Sequence, residues 1–383
     1  MKKLLSMLLS FTLVLSFSLV STADSGLKNE KVENLLQESE IIDENGVWNE
    51  ENIFVDDMSD PLELTNGHTP DDVFLYEYDA ETKERSIVRY GDVAMADIET
   101  LGTDQEPIPP VNTLNDFDDY DPKVYEIFER LNLIDSEGNF DWEAFSAIPV
   151  EDMPEEPSEI ETYAALPDNR VQVSASQVTS SPYCYTCYVL AVFGNTASRG
   201  SGAVVASNLV LTAAHVLEEN GEIADDVIVI PAQYGQNQNP YGSAEASGYK
   251  ISGDYLPDKS PTEDWGAVEF SKSLGVGYFG LRSYSKDLSG TEITITGYPA
   301  YLEGEPEDDS QHYEMFTGSG DYIKQTNGRV YVETYISGGN SGGPMHQGGY
   351  YIGVVTNTAS DHSYAVGLRL NATMWSYIMD FRN

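Results

Sequence analysis

Positive charge is scarce in this chain: 20 Lys and Arg stand against 64 Asp and Glu, for a formal net charge of −44 at pH 7. A surface that neutralises nucleic-acid phosphates needs clustered cations, so nucleic acid is not an expected partner. Cysteine is nearly absent, with only Cys184 and Cys187. Two cysteines cannot make a disulfide-dense scaffold or a zinc site built from two Cys pairs. Their Cys-x-x-Cys spacing favours a single disulfide if the protein is secreted, provided that Tyr185 and Thr186 turn the chain; within a regular strand the two would lie too far apart. A redox role is not expected, because no strand–helix alternation surrounds the pair. No hydrophobic tail precedes Asn383, so a C-terminal membrane anchor is not expected.

The long apolar run that does occur is N-terminal. Met1-Lys2-Lys3 is followed by apolar residues from Leu4 to Val20 and by the small residues Ser21-Thr22-Ala23. This order predicts a secretory signal at 1–23, cleaved after Ala23. An acidic rather than a basic flank follows, which disfavours a membrane span. The product is expected outside the cell, free of the membrane.

Acidity divides the remainder. Residues 24–163 carry a net −33 and residues 164–383 a net −13. The first part is not featureless. Phe74-Leu75-Tyr76 and residues 86–90 have strand character, and Asp121-Pro122 ahead of Val124, Ile127, Phe128 and Leu131 predicts a capped amphipathic helix. Residues 41–48 and 133–140 share turn chemistry, though two copies establish no repeat and neither has the alternating oxygen ligands of a calcium loop. From Ala147 to Pro167 the chain becomes rich in Pro and Glu, as an exposed linker would. An acidic mixed α/β segment between a signal and such a linker, 24–163, is expected to be a propeptide. A permanent acidic domain is the alternative.

After residue 164 short β segments follow one another, separated by Gly, Pro, Asn and Ser. Residues 189–193, 202–205, 209–212, 227–230, 266–270, 292–295, 329–332 and 351–355 are expected strands. Eight strands with little helical periodicity predict an all-β barrel or sandwich of about 220 residues, long enough to bury a substantial core. A C-terminal helix is expected after Asn371, with Met374, Ile378 and Phe381 on one face.

Three short stretches carry chemistry. In Ser337-Gly338-Gly339-Asn340-Ser341-Gly342-Gly343-Pro344, glycines let a tight turn expose the Ser341 hydroxyl while the N–H groups of Gly339 and Ser341 point at one spot. Such a loop taken alone is more often just a turn. Thr212-Ala213-Ala214-His215 places an imidazole at a strand end, and Asp264 precedes Trp265 at the mouth of another strand. A lone His or Asp there is ordinary. The order His215, Asp264, Ser341 is the combination that points to a nucleophile, its base and the carboxylate orienting that base. His346 and His362 also follow the serine, but no helix–strand alternation supports an α/β-hydrolase. The acidic run 303–309 is expected to be solvated surface rather than a calcium site, and no metal or cofactor is expected.

On these three stretches, residues 164–383 resemble the trypsin-like serine endopeptidases, and within them the bacterial glutamyl endopeptidase group. Residues 166–173, Leu-Pro-Asp-Asn-Arg-Val-Gln-Val, are similar to the start of the mature enzymes there. The resemblance implies two six-stranded antiparallel β-barrels with His215, Asp264 and Ser341 in the cleft between them, acting on protein or peptide substrates. It also implies that Thr356, Asn357 and Thr358 form the edge strand that pairs with substrate backbone. The group's pocket residues depart from the pattern: Val355 stands where a histidine is usual, and Ile336 where a threonine is usual. An apolar pocket disfavours a buried carboxylate, so preference for an apolar residue before the scissile bond and preference for Glu or Asp both stay open. Asn340, an amide, cannot form the ion pair with a new N-terminus that activates pancreatic-type zymogens. The expected protein is a secreted monomeric serine endopeptidase, made as a proenzyme and released by an activating protease near residue 164. The alternatives are an inactive binding protein of the same fold and a narrow-specificity toxin-like protease.

Overall fold

The computed structural model describes residues 74–89, 106–109, 122–150, 153–156, 165–235, 239–283, 285–300 and 314–382. The expected signal 1–23, the turn at 41–48, Asp121 and the acidic run 303–309 lie outside these residues.

Apolar strands of short reach, broken by glycine and polar pairs, build two barrels. The first begins with β5 (Thr186–Phe193), β6 (Thr196–Ala206) and β7 (Leu209–Thr212), antiparallel neighbours joined by two-residue turns. Gly194, at φ +60°, takes the left-handed position in the first of those turns. β7 pairs with β13 (Gly266–Glu269), and β13 with β12 (Gly248–Ser252). On the other side β5 pairs with β10 (Asp226–Pro231), and β10 with β11 (Ala244–Glu245). Because β11 runs on through Ala246 into β12, and the Ala246 N–H bonds the Val227 carbonyl at 2.8 Å, residues 244–252 act as one bent strand that closes the sheet. That makes six strands.

The second barrel is closed by pairing alone. β15 (Glu292–Gly297), β16 (Phe316–Thr326), β17 (Arg329–Val332), β20 (Ala365–Arg369), β19 (Tyr350–Ala359) and β18 (Pro344–Gln347) follow one another around it, and β18 returns to β15. β14 (Gly280–Leu281) adds to β19 in parallel, and β4 (Val171–Gln172) adds to β16. A helix, Ala372–Arg382, ends the chain; the Asn371 side chain caps it by accepting from the Met374 N–H at 2.9 Å, and Met374 and Ile378 are buried as expected.

All eight expected strands are present. β12, β16, β18 and β20 were not foreseen: β16 is polar and half-exposed along its length, and β18 contains Pro344 and His346.

Described parts of the acidic segment pack on the first barrel. β1 (Phe74–Asp79) and β2 (Arg85–Arg89) form a hairpin that pairs with β12 and extends the first sheet. Helix α1 (Pro122–Arg130) buries Val124, Ile127 and Phe128, and helix α2 (Trp142–Ser146) sets Phe145 against Tyr188 of β5 with ring centroids 5.3 Å apart. This cover explains why all eight residues of β5 are buried: one face looks into the barrel and the other is roofed. Asp226 on β10, almost fully buried, accepts from Lys83 at 2.6 Å and from Arg130, tying the hairpin and α1 to the barrel.

The expected disulfide is absent. Cys184 and Cys187 are both free and buried. Cys184 lies in a 3-10 turn (Tyr183–Tyr185) with its Sγ 3.7 Å from the Val276 carbonyl, whereas Cys187 already belongs to the extended strand β5. Burial pushes the Cys184 thiol up to about 12 and raises Cys187 further, which keeps both as neutral thiols.

Candidate active site

Strand register brings His215 to Asp264. Thr212, the last residue of β7, pairs with Gly266, the first of β13, so the residues just after one strand and just before the other leave the sheet side by side. His215 lies in the 3-10 turn Ala214–Val216. Its Nδ1 is 2.6 Å from Asp264 Oδ2, and its backbone N–H donates to Asp264 Oδ1 at 3.0 Å. The carboxylate thus holds both the ring and the turn, in a site where His215 and Asp264 are almost fully buried and Trp265 packs against Tyr377. Glu263, next to Asp264, is raised to about 7 by burial, with Ser252 Oγ donating to it at 3.0 Å.

Ser341 reaches the same place from the second barrel. Its carbonyl accepts from the Ser201 N–H of β6 at 2.8 Å, and Gly342 and Gly343 exchange backbone hydrogen bonds with Val355. Gly339 (φ +86°) and Gly342 (φ +80°) occupy left-handed conformations, and a Cβ at Gly342 would collide with Thr212 Oγ1, three residues before His215. The serine turn is therefore pressed onto the strand end that carries the histidine. Ser341 Oγ is buried and makes no hydrogen bond to another described residue. The Gly338 carbonyl accepts from the Ala300 N–H at 2.7 Å; in a trans peptide the N–H points the opposite way, so the Gly339 N–H faces away from Ala300. Ser201 Oγ fixes the next peptide by donating to the Gly339 carbonyl at 2.6 Å.

Of the two other histidines among the described residues, neither competes for this role. His346 is fully buried with Nδ1 on the Gly348 carbonyl (2.7 Å) and Nε2 on Thr296 Oγ1 (2.9 Å), and burial lowers it to about 4, so it stays neutral. His362 stacks on Tyr335 at 4.7 Å.

Ile336 and Val355 are buried in one apolar cluster that also holds Met153. Thr356, Asn357 and Thr358 lie on β19 as expected, but that edge is occupied: β3 (Glu155–Glu156) runs parallel to it, Thr358 opposite Glu155, and the Thr358 N–H donates to the Pro154 carbonyl at 3.2 Å. Across the cleft, Val150 bridges in parallel to Arg199 of β6, and Arg199 Nε donates to the Ile148 carbonyl at 3.1 Å. Residues 148–150 and 153–156 thus touch both barrels. The Pro and Glu content of this stretch is that of an exposed linker, and its signals for docking are the apolar side chains Ile148, Val150 and Met153. Sequence reasoning also passed over Arg170, whose side chain is 2% exposed and reaches the serine turn.

Among the described residues, no group of His, Cys, Asp or Glu is arranged to hold a metal ion, and no helix is long and apolar enough to cross a membrane.

Two facing β-barrels with this cleft define a chymotrypsin-like fold. The trypsin family model matches residues 171–373, more than half of the chain, and the chain belongs to that family; it is a serine endopeptidase. The glutamyl endopeptidase of Bacillus licheniformis is 27% identical over 231 residues, covering 56% of this chain and 68% of that protein. Solved structures that it resembles include a Glu endopeptidase in complex with MPD (23% identity, 56% of this chain and 96% of that one, TM-score 0.48). Another is the protease Anisep from Arthrobacter nicotinovorans (20% identity, 50% and 93%, TM-score 0.43).

Proposed function

We propose that Ser341 is the nucleophile of this endopeptidase, His215 its general base and Asp264 the group that orients and stabilises the imidazolium. His215 takes the Ser341 proton as Oγ attacks the peptide carbonyl, the N–H groups of Gly339 and Ser341 hold the oxyanion, and His215 then protonates the leaving amine; water repeats the cycle on the acyl-enzyme. The observation that carries this reading is the double hydrogen bond from His215 to Asp264 beside the glycine-built turn of Ser341.

The protein is made as a secreted proenzyme: residues 1–23 are the signal, 24–163 the propeptide and 164–383 the protease. Support for latency comes from residues 148–156, whose described part pairs with the β19 edge that substrate backbone needs, and with Arg199 opposite. The catalytic unit acts as a monomer once an activating protease has cut the linker and the propeptide has left. Its pocket takes an apolar side chain before the scissile bond. Ile336 and Val355 offer no partner for a carboxylate, and Met153, an apolar side chain of the occupying segment, shares their cluster.

The test uses the full chain with a cleavage sequence for an unrelated protease inserted between Glu159 and Ala164, beside its Ser341→Ala variant. After cutting, each is given a peptide library and the products are sequenced. Cleavage after Leu, Met, Phe or Tyr, lost in the variant, is the expected result. Cleavage after Glu or Asp would refute the apolar pocket while keeping the nucleophile, and equal activity in both chains would refute the nucleophile.

A further inference from the structure

A buried cation reaches the serine turn from outside both barrels' strands. Arg170 lies just ahead of β4, on the arm that leads out of the linker. Its guanidinium is held by Asp168 through Nε to Oδ1 (2.9 Å) and Nη2 to Oδ2 (2.6 Å), a bidentate pair with both side chains at 8% exposure or less. The third nitrogen, Nη1, donates to Ser337 Oγ at 2.7 Å and to Asn340 Oδ1 at 3.0 Å. Asn340 Oδ1 also accepts from the Ser337 N–H at 3.2 Å, and the Asn340 N–H donates to the Ser337 carbonyl at 3.1 Å. Tyr335 backs the guanidinium, 5.0 Å from its ring centre. The arm itself is fixed, with Val171 and Gln172 paired to Thr317 and Phe316 and the Val173 N–H on the Met315 carbonyl.

We propose that Arg170 is a positioning residue for the reaction: paired with Asp168, it closes the Ser337–Asn340 turn and so keeps the N–H groups of Gly339 and Ser341 aimed at one oxyanion. The inference rests on reading Ser341 as the nucleophile. Its consequence concerns activation. The clamp is an internal side chain present in the uncut chain, so the turn is already formed before any new N-terminus exists, and latency is a matter of what covers the cleft. This accounts for Asn340, whose amide oxygen accepts from a guanidinium and has no need of an α-amine.

Arg170→Ala, Arg170→Lys, Asn340→Ala and the double variants with Asn340→Ala are made in the cuttable full chain, and kcat, KM, labelling by a peptidyl phosphonate and thermal midpoint are measured after cutting. Losing one oxyanion donor outright lowers kcat about 10²–10³-fold; a turn that only samples the right shape is expected to lose roughly ten- to hundredfold, with KM within about threefold. Lysine keeps the charge beside Asp168 but not the fork, so Arg170→Lys is expected to recover the thermal midpoint and not kcat. Guanidinium ion at millimolar concentration is expected to raise kcat of Arg170→Ala and leave Asn340→Ala unchanged. The double variants are expected to be no slower than the slower single one. A kcat within twofold of wild type in both Arg170 variants, or additive losses in the double variants, overturns the proposal while leaving the nucleophile standing. A cut, folded wild-type chain that neither hydrolyses peptides nor takes the phosphonate overturns both. If Arg170→Ala does not fold, Arg170→Lys with Asn340→Ala carries the same comparison.

Discussion

Met153 tests whether the segment before residue 164 holds the cleft shut, as proposed. It is 7% exposed and packed in the cluster of Ile336 and Val355, one residue before the Pro154 carbonyl that bonds Thr358. Truncating a buried Met to Ala costs about 2–5 kcal/mol, and at the rim of a cluster the lower figure applies. Met153 packs there only while its segment is seated, so a loss of about 2 kcal/mol falls on the closed form alone. Each 1.36 kcal/mol is tenfold, which makes the open fraction about thirtyfold larger. The uncut Met153→Ala chain should therefore hydrolyse a small peptide about thirtyfold faster than the uncut wild type, while the two cut chains run at the same rate. The assay is the initial rate on a fluorogenic peptide, with gels confirming that the linker stays intact. An unchanged uncut rate together with a lowered thermal midpoint would refute the reasoning, because the lost packing would then belong to the fold as a whole rather than to a seated plug.

Three further outcomes follow from the geometry. Asp264→Asn removes the acceptor that fixes the His215 tautomer, and kcat should fall on the order of ten thousandfold with little change in KM, read on the cut chain. Asp226→Asn replaces the buried carboxylate that pairs with the solvent-reaching Lys83 and Arg130 by an amide, and should weaken retention of the cut N-terminal segment by about 1 kcal/mol, measured as its loss on gel filtration; release unchanged from wild type would count against the ion-pair anchor. Glu263, raised to about 7, is protonated in the fold at pH 5 and forced to ionise above pH 7. Its contribution is therefore full below the unfolded carboxylate value and lost as pH rises through 7, at most about 3 kcal/mol and less to the extent that water reaches it. Glu263→Gln should flatten that part of the stability curve between pH 5 and 8 in chemical denaturation; an unchanged pH dependence would mean that Glu263 ionises freely.

Much of this protein was legible in its residues. Alternation and turn chemistry located eight strands and the capped C-terminal helix, because each depends on side chains a few positions apart. The order of His215, Asp264 and Ser341 with its glycines suggested the chemistry, because local backbone requirements leave a signature in residue type. What depended on contacts between distant segments was not legible. Cys184 and Cys187 had the spacing for a bond, yet in the fold they are two free, buried thiols, one in a 3-10 turn and one in a strand. The polar β16 holds its place through partners on both sides rather than through its own hydrophobicity. Residues 148–150 and 153–156 have the composition of a linker, and only the edge of β19 and the apolar cluster that takes Met153 give them a place on the barrels. Arg170 is one of few cations in an acidic chain, and its role comes from a clamp closed across 170 positions of sequence. Local physical chemistry thus determined the elements and the candidate nucleophile, while the tertiary structure decided which edges are covered, which thiols stay free and what holds the serine turn, since those outcomes depend on distances that no local pattern encodes.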